Sequence, residues 1–187
     1  MTTNHWDVLI RNATVYDGSG NSPTQVDVAL QGDRIAAVAS RLSEEAGTVI
    51  NATGLAVAPG FIDVHSHDDI PMFLTPEMDF KVMQGVTTDV VGNCGMGVAP
   101  YTAAGLFFGL LYPEVTLPRW EGYAGYLQAL DRDPASVNVA ALIGHNTLRF
   151  AAMGNTQREP TAEELAHMQD SLHEGLEAGA IGFSTGL

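Results

Sequence analysis

Two histidines spaced i, i+2 close an apolar run in Ala58 to Asp68, which reads A-P-G-F-I-D-V-H-S-H-D. Alternate residues of a strand point to one face, so His65 and His67 would aim two imidazoles at a single point where the strand meets solvent. That is a metal-ligand geometry. Val57-Ala58-Pro59-Gly60 reads as a turn and Phe61-Ile62-Asp63-Val64 as a buried strand, which sets this pair apart from two ordinary loop histidines. Asp63, Asp68 and Asp69 crowd the pair, and carboxylates in such places bind metal or orient ligating imidazoles through the other ring nitrogen.

A third donor lies downstream in Gly92-Asn93-Cys94-Gly95, at the end of the strand-like run Val86 to Val91. Cys94 is the only cysteine, so no disulfide can form within the chain and a reducing, cytoplasmic setting is expected. Most lone cysteines are small buried hydrophobes. Gly92 and Gly95, however, permit close backbone approach and unusual dihedrals that a plain core position does not need. A thiolate beside a divalent cation loses its proton readily and ligates zinc well.

The elements that must position these donors follow from the intervening residues. Thr75 as N-cap, Pro76 at the first helical position and Gly85 as stop predict a helix between the two runs. Strand, helix, strand at this spacing is a βαβ unit, whose parallel strands lie about 4.8 Å apart. His65, His67 and Cys94 then emerge at the same end of neighbouring strands. Val137 to Ile143 and Ala180 to Phe183 read as two further strands, and a helix beginning at Pro160-Thr161 precedes the last, with Leu165, Met168, Leu172 and Leu176 at helical spacing. This repetition predicts a (β/α) barrel, with its site at the C-terminal ends of the strands. There, in G-H-N-T-L-R, His145 is a candidate for polarising a carbonyl or supporting the metal, and Arg149 for holding a substrate carboxylate. His167 and His173 fall on the last helix as solvated residues, and Ser66 and Ser184 lack the flanks of a nucleophile elbow. The long stretch Met96 to Leu130 holds the apolar run Leu106 to Tyr112, read as a core helix or a wall over an acyl group. Before all of this, Asp7 to Tyr16, Gln25 to Leu30 and Arg34 to Ala39 read as strands of a small β module, with Gly32-Asp33 as a tight hairpin.

The stretches PGFIDVHSHDD (Pro59 to Asp69), GVTTDVVGNCGMGVAP (Gly85 to Pro100), GHNTLR (Gly144 to Arg149) and GLEAGAIGFSTGL (Gly175 to Leu187) resemble the N-terminal portion of the D-aminoacylase (N-acyl-D-amino-acid deacylase) family of the amidohydrolase superfamily. The resemblance implies part of a β-sandwich subdomain over residues 1–57 and the first half of a metal-dependent-hydrolase (β/α) barrel over 58–187. It implies a centre of one or two zinc ions held by His65 and His67, with Cys94 in the place where most relatives carry a bridging carboxylated lysine. The implied reaction is hydrolysis of an N-acyl-D-amino acid, a small-molecule substrate. Two further histidines and a proton-shuttling aspartate are implied to come from later strands, so residues 1–187 alone are expected to be inactive and to need a complementary C-terminal polypeptide.

Composition narrows the remainder. A chain of 187 residues with 45% hydrophobic residues can bury a core, and a net charge of −14 repels phosphate and anionic lipid, which argues against nucleic acid and membrane partners. No apolar run reaches the roughly 20 residues of a membrane span, and no secretion signal is expected from the N-terminus. Two alternatives stay open: a cyclic amide or ureide hydrolase of the dihydropyrimidinase or dihydroorotase type, against which Cys94 speaks, and a non-catalytic half-barrel that pairs with another subunit.

Overall fold

Short runs rich in Val, Ile and Thr make strands of about half of the first sixty residues. The structure is a computed structural model and describes residues 5–42, 45–100 and 119–186. It divides into two units, Met1–Pro59 and Gly60–Leu187.

In the first unit β1 (His5–Val15) pairs antiparallel with β2 (Thr24–Gln31), which pairs antiparallel with β3 (Arg34–Ala39). On its other edge β1 pairs in parallel with β4 (Glu45–Asn51), and further along with β5 (Ala56–Val57). The β2–β3 turn is the expected Gly32-Asp33 hairpin, with Gly32 at φ 57° and its N–H donating to the Asp7 carboxylate at 2.6 Å. Leu9, Ala29 and Leu42 form the small core of this sheet. β1 carries a bulge between Ile10 and Ala13, where Asn12 takes φ 58° and donates its N–H to the buried Asp27 carboxylate at 2.9 Å. The same carboxylate accepts from the Leu42 N–H at 3.0 Å and pairs with Arg11 at 3.3 Å.

The second unit is built on four parallel strands in the order β6-β7-β8-β9: Phe61–Asp63, Val86–Val91, Asn138–Gly144 and Gly182–Ser184. These are the four strands expected from the sequence, shifted by one or two residues at their ends. The helices are α1 (Pro71–Leu74), α2 (Asp79–Val82), α3 (Gly122–Arg132), α4 (His145–Met153) and α5 (Ala162–Ala178). Val91, Ala141 and Ile143 of the sheet pack with Tyr123 and Tyr126 of α3, Leu148 of α4 and Met168 of α5 in one core. Ile62 and Val64, of the opposite parity, are 61% and 70% exposed.

The connection from β6 to β7 departs from the expected helix. Pro71 starts the short turn α1, and Thr75 ends it, its hydroxyl bonding back to the Pro71 carbonyl at 3.1 Å. α2 then begins at Asp79 behind Met78, which sits at φ 48°. Thr75-Pro76 therefore separates two one-turn helices instead of opening one. By contrast α5 opens with a full capping box, Thr161 accepting from the Glu164 N–H and Glu164 accepting from the Thr161 N–H. The run Leu106 to Tyr112 lies outside the described residues.

Candidate metal centre

β6 ends at Asp63, and His65 and His67 stand just past it on the connection that leaves the sheet. The turn is set by Asp63 itself, whose carboxylate accepts the His65 N–H at 3.1 Å. The two imidazoles meet edge to face with centroids 5.7 Å apart. From the end of β7 comes Cys94, its Sγ 3.3 Å from the His65 Nε2. One donor atom from each of His65, His67 and Cys94 lies within 4.8 Å of the others, with both histidines exposed and the cysteine half-buried.

This donor set fits zinc. Bond lengths of about 2.0 Å to nitrogen and 2.3 Å to sulfur in a tetrahedral site place two ligands about 3.5 Å apart, the spacing seen between His65 and Cys94. The exposed side leaves room for further ligands and for a reacting molecule.

Beneath the imidazoles lies an ion cluster that the sequence did not disclose. Asp63 and Asp89 are register partners on β6 and β7, so their carboxylates share a face, an arrangement that is repulsive alone. Lys81 of α2 resolves it by reaching Asp63 at 2.6 Å, Asp68 at 2.8 Å and Asp89 at 3.4 Å with its own side chain only 12% exposed. Burial disfavours the ammonium charge, but the hydrogen bonds to Asp63 and Asp68 and the charge of Asp89 outweigh it and push the Lys81 pKa up. The Lys81 bond and the His65 N–H together hold the Asp63 carboxyl below its ordinary range. Burial pushes Asp89 up, and pushes the enclosed Asp69 up to about 7.

The Cys94 turn is equally constrained. Gly92, Cys94 and Gly95 all have positive φ, 77°, 55° and 74°. Asn93 donates to the Val90 carbonyl at 2.8 Å, and the N–H groups of Asn146 and Thr147 donate to the Gly95 carbonyl at 2.9 and 3.2 Å. A Cβ on Gly92 would strike the Leu142 carbonyl, and one on Gly144 would strike Gly95 and Gly97, so backbone packs directly on backbone here.

His145 opens α4 half-buried, its ring edge-on to Phe183 at 5.8 Å, and is not one of the clustered donors. Arg149 donates to the carbonyls of Thr156 at 3.1 Å and Arg158 at 2.7 Å. His167 and His173 are exposed on α5, as expected, and His173 pairs with Glu177 at 3.2 Å. No helix among the described residues is long and apolar enough to cross a membrane.

Comparison with known proteins relates the chain to a group of deacylases. The chain is 44% identical over 182 residues to a D-aminoacylase and 46% identical over 182 residues to an N-acyl-D-aspartate deacylase, both from Alcaligenes xylosoxydans xylosoxydans, covering 97% and 96% of this chain. It superposes with a TM-score of 0.87 on the crystal structure of an N-acyl-D-glutamate deacylase from Bordetella bronchiseptica in complex with zinc and a phosphonate mimic of the tetrahedral intermediate. That pair is 41% identical and the match covers 98% of this chain. The chain spans 36% to 39% of the length of these relatives. Its four parallel strands and their helices are the N-terminal part of a (β/α) barrel. Residues 48–187 match the model of the amidohydrolase family, a span that includes all of the strand-end cluster, and the chain belongs to that family.

Proposed function

We propose that this chain supplies the first metal-binding half of a zinc-dependent hydrolase that cleaves the amide of an N-acyl-D-amino acid with water, giving a carboxylate and a free D-amino acid. The observation that carries the reading is the convergence of His65, His67 and Cys94 at neighbouring parallel strand ends. The names of the relatives supply the substrate class. When bound, one or two zinc ions supply Lewis acidity toward the amide carbonyl and make water reactive near neutral pH.

The chain's own residues do the rest. His65 and His67 would supply nitrogen donors, with Asp63 fixing the backbone from which His65 projects. Cys94 would supply a sulfur donor whose softness an oxygen ligand lacks. His145 at the start of α4 is the candidate for polarising the substrate carbonyl. Arg149, which also donates to the Thr156 and Arg158 carbonyls, is the candidate for holding the substrate carboxylate. Among the described residues β6 and β9 each keep one unpaired edge, so turnover needs the strands that complete the barrel, in the same polypeptide or a separate one.

The test is an assay of N-acetyl-D-methionine, its L isomer and a hydantoin with zinc-loaded protein in which the barrel is complete. Preference for the D substrate supports the reading, and faster turnover of the cyclic ureide overturns it. Residues 1–187 purified alone should give no turnover.

A further inference from the structure

We infer that Ser184 is a positioning residue for the metal centre, its hydroxyl clasping the two flanks of the Cys94 turn and so holding the thiol toward His65. The inference rests on the metal-centre reading above. Ser184 closes β9, which is not a neighbour of β7 in the sheet. Yet its Oγ accepts the Gly95 N–H at 3.0 Å and donates to the Gly92 carbonyl. One oxygen therefore bonds the residue after Cys94 and the residue two before it.

The turn needs such a clasp. Cys94 carries a Cβ yet sits at φ 55°, the left-handed region that only glycine occupies freely. If it relaxed to negative φ, the thiol would swing away from the His65 Nε2 that it now meets at 3.3 Å. The other supports each hold one side. Asn93 anchors the incoming strand at the Val90 carbonyl, and the N–H groups of α4 hold the Gly95 carbonyl on the outgoing side. Among the described residues Ser184 supplies the one side-chain atom that bonds both flanks.

Two glycines let Ser184 reach across β8. Gly144 ends β8 with Gly95 and Gly97 lying where a Cβ would be, so the Cys94 loop can rest on the end of that strand. A Cβ on Gly186 would collide with the Cys94 carbonyl, so the chain after Ser184 passes directly over the turn. The one proton of the Ser184 hydroxyl is engaged by the Gly92 carbonyl and its oxygen accepts from Gly95, which is a clamp's geometry.

Cys94 is the only cysteine, so thiol chemistry reports on it alone. In metal-free protein, Ser184→Ala should alkylate with iodoacetamide about fivefold faster at fixed pH, the equivalent of one hydrogen bond, and Ser184→Thr should restore the slow rate. With cobalt(II) in place of zinc, the wild type should show a thiolate-to-cobalt charge-transfer band. Ser184→Ala should need about 10–100-fold more cobalt to reach it, and Ser184→Thr should need little more than the wild type. An unchanged alkylation rate and unchanged cobalt titration in folded Ser184→Ala would overturn the inference. Absence of the band in the wild type would instead overturn the metal-centre reading, with the alkylation rates still deciding the clasp. If Ser184→Ala does not fold, hydrogen exchange of the Gly95 amide in the wild type tests the same bond: protection supports it, and exchange at an open-loop rate overturns it.

Discussion

His65 Nε2 and Cys94 Sγ lie 3.3 Å apart although 29 residues separate them in the chain. The contact exists because β6 and β7 are parallel neighbours whose ends leave the sheet on the same side. That separation is close to the one two ligands of a single tetrahedral zinc ion would have.

Cys94→Ala should therefore remove most bound zinc and nearly all activity from the complete enzyme, since the thiolate brings both charge and geometry. Metal content by mass spectrometry, alongside turnover, checks this. Full zinc occupancy and full turnover in the variant would reduce Cys94 to a core residue.

Lys81→Met tests the ion cluster below the site. It leaves Asp63, Asp68 and Asp89 crowded without their cation, and loss of one partner from a buried ion cluster costs about 3–5 kcal/mol. Urea unfolding should show that loss, together with weaker zinc binding through the freed Asp63. A variant as stable as the wild type would show that the three carboxylates can relax into water.

In the first unit the prediction concerns acid. Burial raises the Asp27 carboxyl, but the N–H groups of Asn12 and Leu42 and the charges of Arg11 and Arg41 outweigh it and hold the pKa below the ordinary value. The native state thus binds this proton less readily than the unfolded chain. The contribution is fully present above the unfolded value, about 3.9, and is lost as pH falls through the lower native one. Asp27→Asn should be less stable than the wild type at pH 7, and the gap should narrow as pH falls below the unfolded value. Parallel stability curves across that window would contradict the assignment.

Gly186→Ala places a methyl group against the Cys94 carbonyl. Such overpacking costs about 1–3 kcal/mol, and here it displaces a ligand-bearing turn, so zinc affinity should fall with stability. Equilibrium dialysis against a zinc indicator measures it. Unchanged affinity would mean that the chain after Ser184 can move away from the turn freely.

The sequence disclosed what depends on local pattern. His65 and His67 were legible from an i, i+2 spacing behind an apolar run, and Cys94 from its glycine flanks. The four parallel strands were legible as short apolar runs, and α5 from Thr161 and its helical spacing. What escaped depends on distant partners. Lys81 reads locally as a solvated lysine, and only the pairing of β6 with β7 puts three carboxylates around it. β4 escaped because its strand character rests on parallel pairing with β1, while its own residues are mostly exposed and include Gly47. Thr75-Pro76 carries a helix-start signature, but Pro71 upstream had already taken up a helical turn whose end Thr75 became.

Ribosomes deliver this chain from its N-terminus, and the clasp on the Cys94 turn joins residues 89 and 92 positions apart. At about 5–20 residues per second, Cys94 emerges some five to twenty seconds before Ser184 does. During that interval the thiol has its two histidines nearby but no hydroxyl over its turn. A nascent chain paused before β9 would therefore carry the Cys94 turn without the hydroxyl that bonds both of its flanks.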